Sequence, residues 1–365
     1  MIKLHEPSYD DEEIQAVVDV LRSTNVTSGT KVSAFEACFG PNSVMVNSGS
    51  SANLLAISLI TNPVYPDHLN HVDEVIVSAL SWSTTVWPII QHGLIPVVVD
   101  IDPETLNIDP EEIKKAIGPK TRAIMPVHVY GNPCDMEEIM DIAQDHKLLV
   151  IEDCCESLGA DVGKHGDLST YSFYFSHHIT TLEGGMVKAN NEKDADLLRV
   201  LRAHGWTREM KSPSVHEGID PKFTFINVGY NLRASEVNAA MGLIQIKKLN
   251  RFVEKRRKIA KSLIEIFDKY PVVTQEDNGS SWFGFPLIAT QGLRKHLENN
   301  DIETRPIICG NIARQPGMKL YDHRVVGKLE CADEVMSNGF AIPCHQSMTE
   351  SDCEYIKEVV DKYYA

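Results

Sequence analysis

Ser43-Val-Met-Val-Asn47 runs directly into Ser48-Gly-Ser-Ser-Ala-Asn53 and then into a helical stretch over Ser51–Thr61. An apolar strand that feeds a helix through a turn of small residues is the opening unit of an α/β sheet. The alternation continues from about residue 40 to 190. Further strands are expected at Glu74-Val-Ile-Val-Ser78, Ile95-Pro-Val-Val-Val99, Ala123-Ile-Met-Pro-Val127 and Leu148-Leu-Val-Ile-Glu152. Helical patterns intervene at Pro110–Ile117 and Met136–His146. Apolar strands separated by helices predict a mostly parallel, doubly wound α/β sheet, with ligands at the carboxyl ends of its strands. A long helix from Ser235 to about Tyr270 leads out of this unit. The expected division is a large domain over 1–250 and a small α+β domain over 251–365, with the N-terminal helix packing near the latter.

The chain has 365 residues, enough for a large and a small domain with ample core. Its charge of −16, from 35 basic and 51 acidic residues, argues against nucleic acid or an anionic membrane as partner. A phosphorylated substrate stays open, because local donors outweigh a distant screened field. Met1-Ile-Lys-Leu-His-Glu-Pro7 does not read as a signal peptide, and Val75 to Val99 is too interrupted for a membrane span. The eight cysteines are scattered, without a Cys-x-x-Cys pair or an iron–sulfur spacing. Reduced thiols in a cytoplasmic protein are expected.

Several stretches carry chemistry. The Ser48–Asn53 turn offers backbone N–H groups at a helix start, with the Ser50 and Ser51 hydroxyls beside them. It is either a phosphate cup or a plain helix cap. Asp153 ends the apolar run Val150-Ile-Glu-Asp153, where a carboxylate is costly unless partnered. Trp82 suits either a core or a flat ring ligand. His204 lies in Leu201-Arg-Ala-His-Gly-Trp206, and Asn231 in Gly229-Tyr-Asn-Leu-Arg-Ala-Ser-Glu236. Last comes Ser172-Phe-Tyr-Phe-Ser-His-His-Ile-Thr-Thr-Leu-Glu-Gly-Gly185.

The order of these stretches resembles the DegT/StrS family of sugar-nucleotide aminotransferases and dehydratases over nearly the whole chain. Asn107-Ile-Asp-Pro110 and Pro126-Val-His-Val-Tyr-Gly131 support the match. The resemblance implies the fold-type-I fold of pyridoxal-phosphate (PLP)-dependent aminotransferases and a homodimer with shared active sites. It also implies roles. Gly49, Ser50 and Ser172 hold the cofactor phosphate, Trp82 stacks on its ring, and Asp153 pairs with its nitrogen. Asn231 reaches in from the neighbouring subunit.

Where the aminotransferases of this family carry a Schiff-base Lys, this chain has His177, and Glu156 replaces their usual Gln. An imidazole moves protons but cannot form that covalent link. Together with His204 in its Arg202-Ala-His-Gly-Trp206 stretch, these departures are similar to the GDP-4-keto-6-deoxy-D-mannose 3-dehydratase branch, an activity of deoxysugar and lipopolysaccharide O-antigen biosynthesis. The sister branch with a [2Fe–2S] cluster is disfavoured by the cysteine spacing, and no metal is expected. The branch implies non-covalent pyridoxal or pyridoxamine phosphate, glutamate as amino donor and a nucleotide-linked 4-keto-6-deoxyhexose as substrate. His177 is then the catalytic base, the C3 hydroxyl leaves as water, and ammonia is released. An ordinary imidazole pKa of about 6.5 suits both proton acceptance and donation. His204 and Arg305, in Glu303-Thr-Arg-Pro306, are expected at the substrate; for Arg305 a surface ion pair is the other reading. His178 reads as structural.

Two rivals remain at this point. One is a nucleotide-sugar aminotransferase using another amine, of which Lys188 is nearest; the other is a non-catalytic PLP-binding homologue.

Overall fold

The β-branched runs form strands because each is buried on both faces, and burying one Val or Ile side chain contributes about 1.5–3 kcal/mol. The computed structural model describes residues 1–210 and 216–365. Its first seven strands are β1 (Ser43–Val46), β2 (Glu74–Ser78), β3 (Ile95–Val99), β4 (Thr121–Met125), β5 (Leu149–Asp153), β6 (Leu168–Ser172) and β7 (Gly185–Ala189). The last five are β8 (Val273–Thr274), β9 (Phe285–Ile288), β10 (Arg305–Pro306), β11 (Arg324–Val325) and β12 (Gly339–Ile342).

The large sheet has the order β1-β7-β6-β5-β4-β2-β3-β11. Its strands run parallel from β6 through β11, while β7 pairs antiparallel with both β1 and β6. The expected mostly parallel, doubly wound α/β sheet is therefore present. The single reversed strand β7, next to the β1 edge, is an addition to it.

Helices α1 (Asp11–Ser23) and α2 (Thr30–Phe39) precede the sheet. Its connections carry α3 (Gly49–Ile60), α4 (Ser83–Gln91), α5 (Pro110–Ala116) and α6 (Met136–His146), and α7 (Glu192–Arg202) follows β7. The long α8 (Glu236–Phe267) starts at Ser235, whose hydroxyl accepts from the Asn238 N–H in a capping box. Both α1 and α2 pack on α8. Beyond it, β10-β12-β9-β8 form a small antiparallel sheet. This sheet is accompanied by α9 (Gln291–Asn299), α10 (Glu330–Asn338) and α11 (Glu350–Tyr364). A second core here gathers Phe267, Trp282, Phe285, Phe340 and Ile356. The N-terminal segment reaches it: Ile2 bridges to Ile302, and His345 Nε2 lies 3.0 Å from the Lys3 carbonyl. Among the described residues, no helix is long and apolar enough to cross a membrane.

Candidate active site

Beyond the carboxyl ends of β1 and β5 lies a cavity of about 420 Å³. It is lined by Gly49, Ser50, Trp82, Asp153, Glu156, Ser172, His177 and Arg305, all singled out from the sequence. Asn53, Thr84, Cys155, Tyr174, Glu183 and Phe283 complete most of its wall.

One end is the N-terminus of α3. Ser48 is its cap, accepting from the Ser51 N–H at 3.1 Å, and its hydroxyl also meets the Ser51 hydroxyl. Ser51 is thus occupied by the cap, and Ser50 remains at the cavity with its Oγ on Thr84. Gly49 has no room for a side chain, since a Cβ would lie 2.5 Å from the Ser172 Cβ. The resulting concavity joins free helix-start amides to two hydroxyls, a surface suited to an anion.

Asp153 is 2% exposed and ends β5. Its Oδ2 accepts from Asn53 Nδ2 and Thr85 Oγ1, each at 2.8 Å, and its Oδ1 from the Cys155 N–H at 3.1 Å. No helix starts after it, so helix capping is not its role. Among the described residues no cation pairs with it. Strand alternation sends its neighbour Glu152 to the other face. There Glu152 accepts from the amides of Gly163, His165 and Gly166 and from His128.

His177 sits on the connection between β6 and β7, which α8 secures. Asn238 Nδ2 donates to the Thr181 and Glu183 carbonyls, and Gln245 Oε1 accepts from the Thr180 N–H. Gly185 at its end is required, because a Cβ there would lie 2.3 Å from the Ser48 carbonyl. The His177 ring stands edge-on to Phe283 at 4.9 Å and to Tyr174 at 6.0 Å. Its Nδ1 is buried without a hydrogen-bond partner among the described residues, and the residue lines the cavity.

Burial, then the Arg305 and Arg256 charges, hold the His177 pKa down at about 3. This corrects the expectation of an ordinary imidazole titrating near neutrality. The cause is desolvation of the charged form beside two cations. An imidazole held there is neutral near pH 7. Once protonated, it is a strong donor.

Burial pushes Glu156 up to about 7, with Asp153 adding to the rise, while the Tyr130 N–H and Arg305 oppose it. Its Oε2 accepts from that N–H at 3.0 Å. Arg305 is the cation on the cavity wall and makes no ion pair among the described residues. The surface-pair reading of it does not hold.

Two expected residues lie outside the cavity. His204, at φ 63°, is exposed and lies 3.4 Å from Arg233 Nη2, whose Nη2 also approaches Asn231 Oδ1 at 3.3 Å. His178 is buried with Nε2 on the Ser281 carbonyl at 3.1 Å, as a structural residue would be. Lys188 sits within β7 with its side chain toward Gly40, away from the cavity. The sequence reading missed Phe283, Thr85 and Tyr174. Only Thr85, three residues after Trp82 at a helix start, left a local trace.

A family model described as the DegT/DnrJ/EryC1/StrS aminotransferase family matches residues 7–361. The chain belongs to this family. It is 39% identical to a GDP-4-keto-6-deoxy-D-mannose 3-dehydratase of Yersinia pseudotuberculosis, over 93% of each chain. A protein of the same description from Escherichia coli O55:H7 is 38% identical over 97% of each. A crystal structure of GDP-4-keto-6-deoxymannose-3-dehydratase with a trapped PLP–glutamate geminal diamine superposes with a TM-score of 0.94. It is 36% identical, with 98% of this chain and all of that one covered. The fold is that of the PLP-dependent aminotransferases.

Proposed function

We propose that this chain is a PLP- and pyridoxamine-phosphate-dependent 3-dehydratase of a GDP-linked 4-keto-6-deoxyhexose. Glutamate is its amino donor and ammonia its by-product. The carrying observation is the neutral His177 ring on the cavity wall where a transaminase of the family needs an amine. The high identity to two 3-dehydratases over nearly the full length supports it.

The residues fit the cofactor. Asp153, buried and without a cationic partner, suits a protonated pyridine nitrogen. The α3 start with Gly49, Ser50 and Ser172 suits a phosphate, and half-exposed Trp82 suits a flat ring. When bound, the cofactor supplies an electron sink conjugated to the substrate's C4. Glu156 offers a hydrogen bond whose proton count changes near neutrality.

His177 takes a proton at Nε2 and, strongly acidic in that state, returns it to the departing C3 hydroxyl. Arg305 holds an anionic group of the substrate, with phosphate the expected one. Phe283 and Tyr174 fix the imidazole plane and limit water. Among the described cavity residues there is no lysine to retain the amino group on the sugar, which disfavours the aminotransferase reading.

The site is shared in a homodimer on this reading, with Asn231 and His204 serving the partner's cavity. Exposed Phe223, Phe225 and Val228, on the segment leading to Asn231, supply apolar surface for such an interface. Eight free cysteines fit a reducing, cytoplasmic setting. Mass spectrometry of products from a panel of 4-keto-6-deoxy nucleotide sugars with glutamate tests the function. Loss of water without gain of nitrogen supports it, and an amino group retained on the sugar overturns it.

A further inference from the structure

Arg256, on α8, is 1% exposed, and its guanidinium meets uncharged acceptors. Its Nη1 donates to the carbonyls of Trp282 at 2.8 Å, Phe283 at 3.1 Å and Cys344 at 2.8 Å, and its Nη2 to Gln346 Oε1 at 3.0 Å. Among the described residues no carboxylate pairs with it. Burial lowers its pKa to about 10, so it stays charged at neutral pH. A buried cation without a counter-ion is expensive and calls for a reason.

The carbonyls it grips belong to the wall behind His177. Phe283 presents its ring to His177, and the adjoining Ser281 carbonyl holds His178. We propose that Arg256 is a positioning residue of the site. Its guanidinium clamps the Trp282–Phe283 wall against the His177–His178 pair, and its unneutralised charge stands directly behind that wall. This rests on the reading of His177 as the proton acceptor.

The Arg256 charge adds to burial and to Arg305 in disfavouring a charged His177 ring. Asp153 at the end of β5, Glu156 just beyond it and Glu183 on the ring's own connection are carboxyls and would favour the charged ring. Burial keeps the Cys155 thiol and the His178 ring uncharged near neutrality. Arg305, from β10, acts in the same sense as Arg256 but stands in the cavity, where an arriving anion neutralises it. Arg256 lies sealed behind the wall, beyond reach of any ligand, so its field persists through the reaction.

Gln346→Glu is the decisive variant. It places a carboxylate against Arg256 Nη2 and leaves the clamp intact. Nitrogen-15 NMR of histidine-labelled, cofactor-free full chain reads the ring directly, with His177→Asn assigning the signal. At about pH 4.5, wild-type His177 is expected to be less than about a tenth protonated. At an effective dielectric of about 20, neutralising one charge close behind a buried ring moves a titration midpoint by roughly one to two pH units. Gln346→Glu is therefore expected to bring His177 to about half protonated at that pH. Arg256→Met should do the same, and Arg256→Lys should keep the ring neutral while lowering Tm. The inference is overturned if Gln346→Glu, shown folded by circular dichroism, leaves His177 as neutral as in wild type. A wild-type midpoint near 6.5 overturns it as well. Should the midpoints move as expected while product analysis finds no dehydration, the functional reading fails and the clamp stands.

Discussion

Glu156→Gln should stabilise the cofactor-free protein at pH 8 and leave it unchanged near pH 4.5. The Glu156 carboxyl is pushed from the ordinary 4.5 up to about 7, first by burial and then by Asp153. Below pH 4.5 both folded and unfolded chains hold the proton, and the group contributes nothing to stability. Between 4.5 and about 7 the unfolded chain releases the proton while the folded chain keeps it, so stability falls as pH rises. Above 7 the penalty is complete. At about 1.4 kcal/mol per pKa unit it amounts to roughly 3 kcal/mol, or about 2 after allowing for partial solvent screening. Gln keeps an oxygen for the Tyr130 N–H and removes the charge. With an unfolding entropy of about 2 cal/mol/K per residue, about 2 kcal/mol in a chain this long corresponds to a Tm gain of about 2–3 °C. Scanning calorimetry of both proteins at the two pH values measures it. An equal gain at both, or none at pH 8, would refute the reasoning that a desolvated carboxylate is being forced to ionise.

Three further outcomes are expected. His177→Lys should acquire covalently bound cofactor, seen as a mass increase after borohydride reduction, and lose at least about a hundredfold in dehydration; dehydration at the parent rate would remove His177 from its assigned role. Gly49→Ala forces a Cβ to within 2.5 Å of the Ser172 Cβ. Overpacking of this kind costs about 1–3 kcal/mol, and the loss should appear as weaker PLP binding in equilibrium dialysis. Asp153→Asn keeps the shape but gives up a charge-assisted bond worth about 2 kcal/mol, so PLP affinity should fall about thirtyfold by fluorescence titration.

The parts of the fold legible in the sequence are those where one local signal has one meaning. β1 through β5 are short β-branched runs, and each lies where its run does, to within two residues. β6, Leu168-Ser-Thr-Tyr-Ser172, is mostly polar yet wholly buried. The Thr170 hydroxyl donates to Asn53 Oδ1 at 2.6 Å, 117 residues away, and no local pattern reports that. The environment of Asp153 is hidden for the same reason, because its donors lie 100 and 68 residues away. Glu254-Lys-Arg-Arg-Lys258 looks like a solvated face of a basic helix, and its middle residue proves to be buried. Phe283 belongs to a stretch with no motif at all, and only the return of the small sheet against the β6–β7 connection makes it part of the cavity.

The state of His177 changes what the missing Lys means. A histidine titrating near 6.5 would be divided between its two forms at neutral pH, and about a quarter of the molecules would begin without a base. A ring held near pKa 3 begins entirely as base, and the protonated ring is pressed to pass its proton on. Such a site works only if the proton's destination is close and the ring cannot turn away. The buried Nδ1 and the edge-on Phe283 and Tyr174 rings provide that restraint. The low basicity has a cost, which the positive charges causing it partly offset by drawing anionic ligands into a chain of net charge −16. As those ligands neutralise Arg305, the ring should become more basic, so substrate arrival itself readies the base. On the proposed reading, a transaminase-like scaffold here carries, in place of a nucleophile that holds the cofactor, a base whose strength depends on what the cavity contains.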